Sequence, residues 1–173
     1  MAVQYAFSQI TTQGLKLAVD AADPLSYPGS GTVLTDVTGN GYTGTVSSSI
    51  SFVVTNRGGL YSPNSSSAIT FTGSAADFGT GSFTLEMGFT PLEINGQHFL
   101  YSKNSGSFPN FGAYLTGSNG SGRLVAFYNI SSTISCSAST PTGSFVTRSN
   151  YIVDVTYVPS QLATFITSPT LMN

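Results

Sequence analysis

Seven carboxylates, one histidine and one cysteine are what 173 residues offer to acid–base, nucleophilic or metal chemistry, and their spacing limits what they can do. Glycoside hydrolysis needs two carboxyl groups about 5 to 9 Å apart. Glu86 has Gly88 at its i+2 position and Glu93 lies beyond Pro91, so no second acid shares the strand of Glu86. His98 would have to serve any Ser-His-Asp or Cys-His set, yet no G-x-S-x-G turn accompanies it. A surface or structural histidine is the reading the residues support. Cys136, in SCSAS, has no flanking cation to lower its pKa and reads as a small strand or loop residue. No catalytic residue is assigned.

Two binding chemistries remain. Asp20, Asp23, Asp36 and Asn40 fall within one loop, and calcium takes about six to eight oxygens, partly from loop carbonyls. Against this, no D-x-D-x-D-G spacing is present, and short acidic residues beside Gly and Pro commonly cap their own backbone in Asx-turns. The capping reading is preferred, so no metal or cofactor is assigned. Sugar binding needs an aromatic platform beside planar polar groups. Tryptophan is absent, which leaves Tyr27, Tyr42, Tyr114 and Tyr128 as candidates, although tyrosines in an all-β chain are mostly half-buried strand residues.

The elements that must position these residues are strands. Residues 82–90 give the clearest alternation, with Phe83, Leu85, Met87 and Phe89 on one face and Thr84, Glu86, Gly88 and Thr90 on the other; this predicts a central, half-buried strand ended by Pro91. Residues 111–116 and 123–130 bracket GSNGSG, a hairpin signal. Further strands are expected at Val3–Phe7, Leu15–Val19, Phe52–Thr55, around Ile69 and Phe71, at Phe99–Tyr101, Tyr151–Val158 and Leu162–Thr167. No ten-residue stretch holds a 3.6-residue period without Gly, Pro or a β-branched run, so almost no helix is expected. Strands every 8 to 12 residues or so point to an antiparallel sandwich or jelly roll.

The length suits a single domain over residues 1–173, with 1–14 as an arm or extra strand. Only 7% of residues are charged, against 27 Ser and 22 Thr, so hydroxyls must make the outer faces polar. With Lys guards scarce, strand edges are open to pairing with a neighbour. The five basic residues are dispersed, which disfavours nucleic acid as a partner. Neither a basic, apolar leader nor a run of about 18 apolar residues occurs, so neither classical export nor a membrane span is expected. A single cysteine fits folding in a reducing cytosol.

The stretch DAADPLSYPGSGTVLTDVTGNGYTGT, Asp20 to Thr45, is too rich in Gly and Pro for a helix or a long strand. It resembles the signature loop of laminin-G-like, concanavalin A-like domains of tailed-phage virion and bacterial surface proteins, in which D-A-x-[ND]-P-x-S-Y-P-G-S-G-T precedes D-x-[ST]-G-N-G-x-x-G-T. FTLEMGFTP and VDVTY also resemble segments of that family, with Gly88 and Leu34 where relatives commonly carry tryptophan. The resemblance implies an antiparallel concanavalin A-like jelly roll. Some relatives bind calcium at the rim, and the laminarinase-type glucanases of this fold carry E-x-D-x-x-E on one strand, a motif missing here.

The function implied is that of a non-enzymatic component of the virion, made in the host cytoplasm: a capsid decoration or cement protein of a tailed phage. Its partners would be the major capsid protein or another shell protein, with copies forming a homo-oligomer or bound to the lattice. The alternative is a carbohydrate-binding, lectin-like module of a phage tail or bacterial surface protein, with a glycan as ligand.

Overall fold

Thirteen strands and no helix are found among the described residues, and every strand pairing is antiparallel. The computed structural model describes residues 14–54, 59–62, 67–72, 77, 81–103, 110–133, 135–159 and 161–167. The expected strand at Val3–Phe7, the arm over 1–14 apart from Gly14, and Thr55 of the expected strand Phe52–Thr55 lie outside them. By its internal contacts the chain divides into two units, Met1–Asp77 and Phe78–Asn173.

In the first unit, β1 (Val33–Thr35), β2 (Thr43–Val46) and β5 (Ile69–Phe71) form one sheet in the order β1-β2-β5, and β3 (Ser51–Val53) pairs with β4 (Gly59–Tyr61). The strands are short because Gly and Pro interrupt the chain every few residues. Tyr27, Leu34 and Val46 are buried together, with Ile50, Phe52, Leu60 and Phe71 packed around them. Leu34, 2% exposed, is the buried aliphatic centre of this cluster. Residues 15–19 are not a strand, contrary to their alternation. Their backbone groups are claimed by loop side chains and by Val37 rather than by a neighbouring strand.

The second unit is a β-sandwich. One sheet runs β10 (Ser135–Ser139), β9 (Ser121–Asn129), β8 (Asn110–Ser118), β7 (Gly96–Lys103), with β11 (Phe145–Val146) pairing the start of β9; the other runs β13 (Gln161–Thr167), β12 (Tyr151–Val158), β6 (Phe83–Phe89). Ala113, Leu115, Leu124 and Ala126 from the first sheet meet Val153 and Val155 from β12, with Leu85, Met87 and Phe89 of β6 packed against them. Phe83, Tyr128 and Tyr157 form an aromatic cluster in this unit, the Tyr128 and Tyr157 ring centroids 4.2 Å apart. The period-two alternation of β6 is present, but among the described residues β6 ends its sheet and β12 is the middle strand. β8 and β9 turn through Asn119 and Gly120, with φ of 54° and 76°, the paired left-handed geometry of a type I′ hairpin.

Candidate functional site

The residues of the loop from 20 to 45 are built around one carboxylate. Asp36 is 5% exposed. Its Oδ1 accepts from Ala18 N–H at 2.9 Å and Thr38 N–H at 3.0 Å, and its Oδ2 accepts from the Thr38 hydroxyl. Burial pushes this carboxyl up, but the hydrogen bonds from Ala18 and Thr38 together outweigh it and hold the group below its ordinary value. Asn40 Nδ2 donates to Leu15 O, Lys16 O and Thr38 Oγ1, tying residues 15–18 to the loop.

The other two acids close Asx-turns. Asp20 Oδ1 accepts from Ala22 N–H and Asp23 Oδ1 from Leu25 N–H, each at 2.9 Å. Asp20 and Asp23 therefore cap the loop's own backbone while Asp36 and Asn40 bind residues 15–18 to it, and no group of three or more His, Cys, Asp or Glu side chains with metal-binding geometry occurs among the described residues. Sequence reading passed over Ser26, which is fully buried. Its hydroxyl donates to Thr35 O at 2.7 Å and accepts from Asp20 N–H at 3.1 Å. A serine between Pro24 and Pro28 carries no signal that separates this keystone from an ordinary loop hydroxyl. Gly44 is a packing glycine: a Cβ there would stand 2.7 Å from the Phe71 ring.

The tyrosine candidates separate by face. Tyr27 is buried and donates to Gly31 O at 2.9 Å, and Tyr128 is buried in the sandwich core; neither offers a platform. Tyr42 is half-buried in the loop. Tyr114 lies on the outer face of the β7–β10 sheet, between Phe99 at 5.4 Å and Phe127 at 6.4 Å between ring centroids. Phe99 was not among the sequence candidates and is 56% exposed.

A β-bulge arranges this face. The β7–β8 register shifts between Phe99 and Tyr101, so Leu100 turns to the core, while Phe99 and Ser102, three residues apart, share the outer face. Phe127 lies over Gly112, where a Cβ would be 2.8 Å from its ring. Phe99, Ser102, Lys103, Asn110, Phe127 and Asn129 thereby line a cleft of about 280 Å³. The Oδ1 atom of Asn110 is buried and has no hydrogen-bond partner.

His98 and Cys136 both face backbone carbonyls. His98 Nε2 lies 2.9 Å from Asn95 O, and the Cys136 thiol donates to Tyr128 O at 3.5 Å; burial pushes that thiol up. Burial likewise pushes the Tyr101 phenol up. Glu86 faces Asp154 directly across the β6–β12 ladder, a juxtaposition of acids that the spacing within either strand does not disclose. An antiparallel all-β protein with a β-sandwich unit is the class these elements define. No protein-family model, curated protein or solved structure matches the chain.

Proposed function

We propose that the protein is a non-enzymatic structural component of a virus particle, a decoration or cement protein on a tailed-phage capsid, built on a concanavalin A-like jelly roll. The observation that carries this reading is the loop from 20 to 45. Its sequence resembles the signature loop of phage virion domains, and Asp20, Asp23, Ser26, Asp36 and Asn40 each engage the backbone of residues 15–38. A scaffold element uses its polar groups in this way; a loop that held a metal would direct several of the same oxygens to one point.

The surface chemistry supports the same reading. Ser135, Ser137 and Ser139 on β10, and Thr43 and Thr45 on β2, are exposed, so whole strand faces are polar without being charged. Such faces pack on a shell through broad contact and backbone hydrogen bonding, with little like-charge repulsion between copies. The protein should co-purify with particles in a fixed ratio to a shell protein, measured by quantitative mass spectrometry of gradient-purified virions. Recovery only as free protein in the lysate would overturn the proposal.

A further inference from the structure

We propose that Asn119, at the tip of the β8–β9 hairpin, is a site of spontaneous deamidation, and that its isoaspartyl product opens the hairpin turn. This goes beyond the structural role above and stands independently of it. An asparagine followed by glycine is the reactive context, because glycine has no Cβ to keep its amide nitrogen away from the preceding carboxamide. The chain has three such pairs: Asn40–Gly41, Asn95–Gly96 and Asn119–Gly120.

The fold treats the three differently. All three asparagines are exposed, so access of water does not distinguish them. Hydrogen bonding of the carboxamide does. Asn40 Nδ2 donates to Leu15 O, Lys16 O and Thr38 Oγ1 at 3.2, 2.9 and 2.9 Å. Asn95 is held from both ends: its Nδ2 donates to Glu93 Oε1 and its Oδ1 accepts from Asn119 N–H, each at 3.0 Å. The carboxamide of Asn119 makes no hydrogen bond among the described residues, and neither does the Gly120 N–H. Asn119 and Gly120 also lie beyond the last pair of their ladder, Ser118 with Ser121. Gly96, by contrast, is paired with Gly117, and Ile94 before Asn95 is fully buried.

The reaction needs only water and base. Hydroxide takes the Gly120 amide proton, and the nitrogen attacks Asn119 Cγ. The Cγ–Nδ2 bond breaks, and the leaving nitrogen takes a proton from water and departs as ammonia. A five-membered succinimide remains. Water then adds to either of its carbonyls, giving aspartate or, with the main chain rerouted through Cβ and Cγ, isoaspartate. Aspartate is accepted at this position of a type I′ turn. Isoaspartate adds a main-chain atom to a two-residue loop, which the paired left-handed geometry at φ of 54° and 76° cannot absorb. The bond from Thr147 N–H to Gly120 O is then lost with the turn.

Peptide-mapping mass spectrometry of the full chain, aged in mildly alkaline buffer with and without urea, tests this. Freeing the carboxamide of Asn40 or Asn95 costs at least one net hydrogen bond, so Asn119 should convert about tenfold faster than either in the folded protein. In urea, where all three carboxamides are free, the rates should converge. The isoaspartyl protein, separated by chromatography, should show faster amide exchange at Ser121 and Thr147 than the unaged chain, whereas Asn119→Asp should not. No conversion at Asn119, equal conversion of Asn40 or Asn95 in the folded chain, an undiminished lead of Asn119 in urea, or unchanged exchange in the isoaspartyl form would overturn the proposal.

Discussion

In the loop from 20 to 45, the side chains of Asp20, Asp23, Asp36 and Asn40 all hydrogen-bond to nearby backbone, and Ser26 is buried with both its bonds made. On the outer faces of the 78–173 sandwich, Asn110 Oδ1 is buried without a partner and Glu86 stands in register with Asp154. The loop is the richer of the two in acids, and its acids are structural. The sandwich faces are sparse in polar chemistry, and there a carbonyl oxygen is buried without a partner. A cluster of acids in sequence is thus a poor guide to a site; what matters is whether the backbone has already used them.

That contrast breaks most visibly at Asp36. Replacing it with alanine strips partners from Ala18 N–H, Thr38 N–H and the Thr38 hydroxyl at a buried position, and should destabilise the protein by about 3 kcal/mol. Urea unfolding measures the loss, and amide exchange at Ala18 and Thr38 should accelerate with it. The sign of the pH effect follows from the lowered pKa. Stability contributed by Asp36 is fully present above the unfolded carboxyl's ordinary value of 3.8 and is lost as pH falls through the lower folded value. Acid titration should therefore narrow the gap between wild type and Asp36→Asn below that pH. A gap that stays constant would show that the carboxylate charge is not what holds the loop.

Much of this architecture was legible in the chain, for identifiable reasons. The alternation from Phe83 to Phe89 and the Asn119-Gly120 turn are local signals, and both correspond to observed elements. Residues 15–19 carry an alternation equally suggestive of a strand, but their backbone groups bond to Asp36, Val37 and Asn40, partners about twenty residues away that no local pattern encodes. Tyr114 and Tyr128 look alike in sequence, and only strand parity relative to the core puts one outside and the other within. Phe99 was hidden for a related reason: the bulge at Leu100 sets its face relative to Ser102, and a bulge has no signature in HFLYS. The Glu86–Asp154 pairing depends on register between strands some seventy residues apart.

The sandwich unit should be sensitive where backbone geometry, rather than side-chain capping, sets its form. Gly120 has φ of 76°, its carbonyl accepts from Thr147 N–H at 3.0 Å, and a Cβ would come within 3.3 Å of Thr147 Oγ1. Gly120→Ala should cost about 1 kcal/mol or slightly more, the penalty for a side chain in left-handed backbone. The same urea experiment reads it. A loss as large as that of Asp36→Ala would mean that the two regions do not differ as described.

The sharpest sign test of the comparison is also the smallest in size. An acid of the loop stabilises, so its removal costs; Glu86 lies on an exposed sheet face with Asp154 as its cross-strand neighbour, so its removal should help. Like charges directly opposite one another on a sheet are destabilising by roughly 0.2 to 1 kcal/mol, and solvent exposure places this pair toward the lower end. Glu86→Gln should therefore raise stability by a few tenths of a kcal/mol at neutral pH and low salt, with the gain shrinking as added salt screens the repulsion. Neighbouring Thr84 and Thr156 already share a hydroxyl hydrogen bond of 3.0 Å on the same ladder, so the strands stay in register without the acid. A loss of stability in Glu86→Gln would instead mean that this carboxylate, like Asp36, has been recruited to hold the fold.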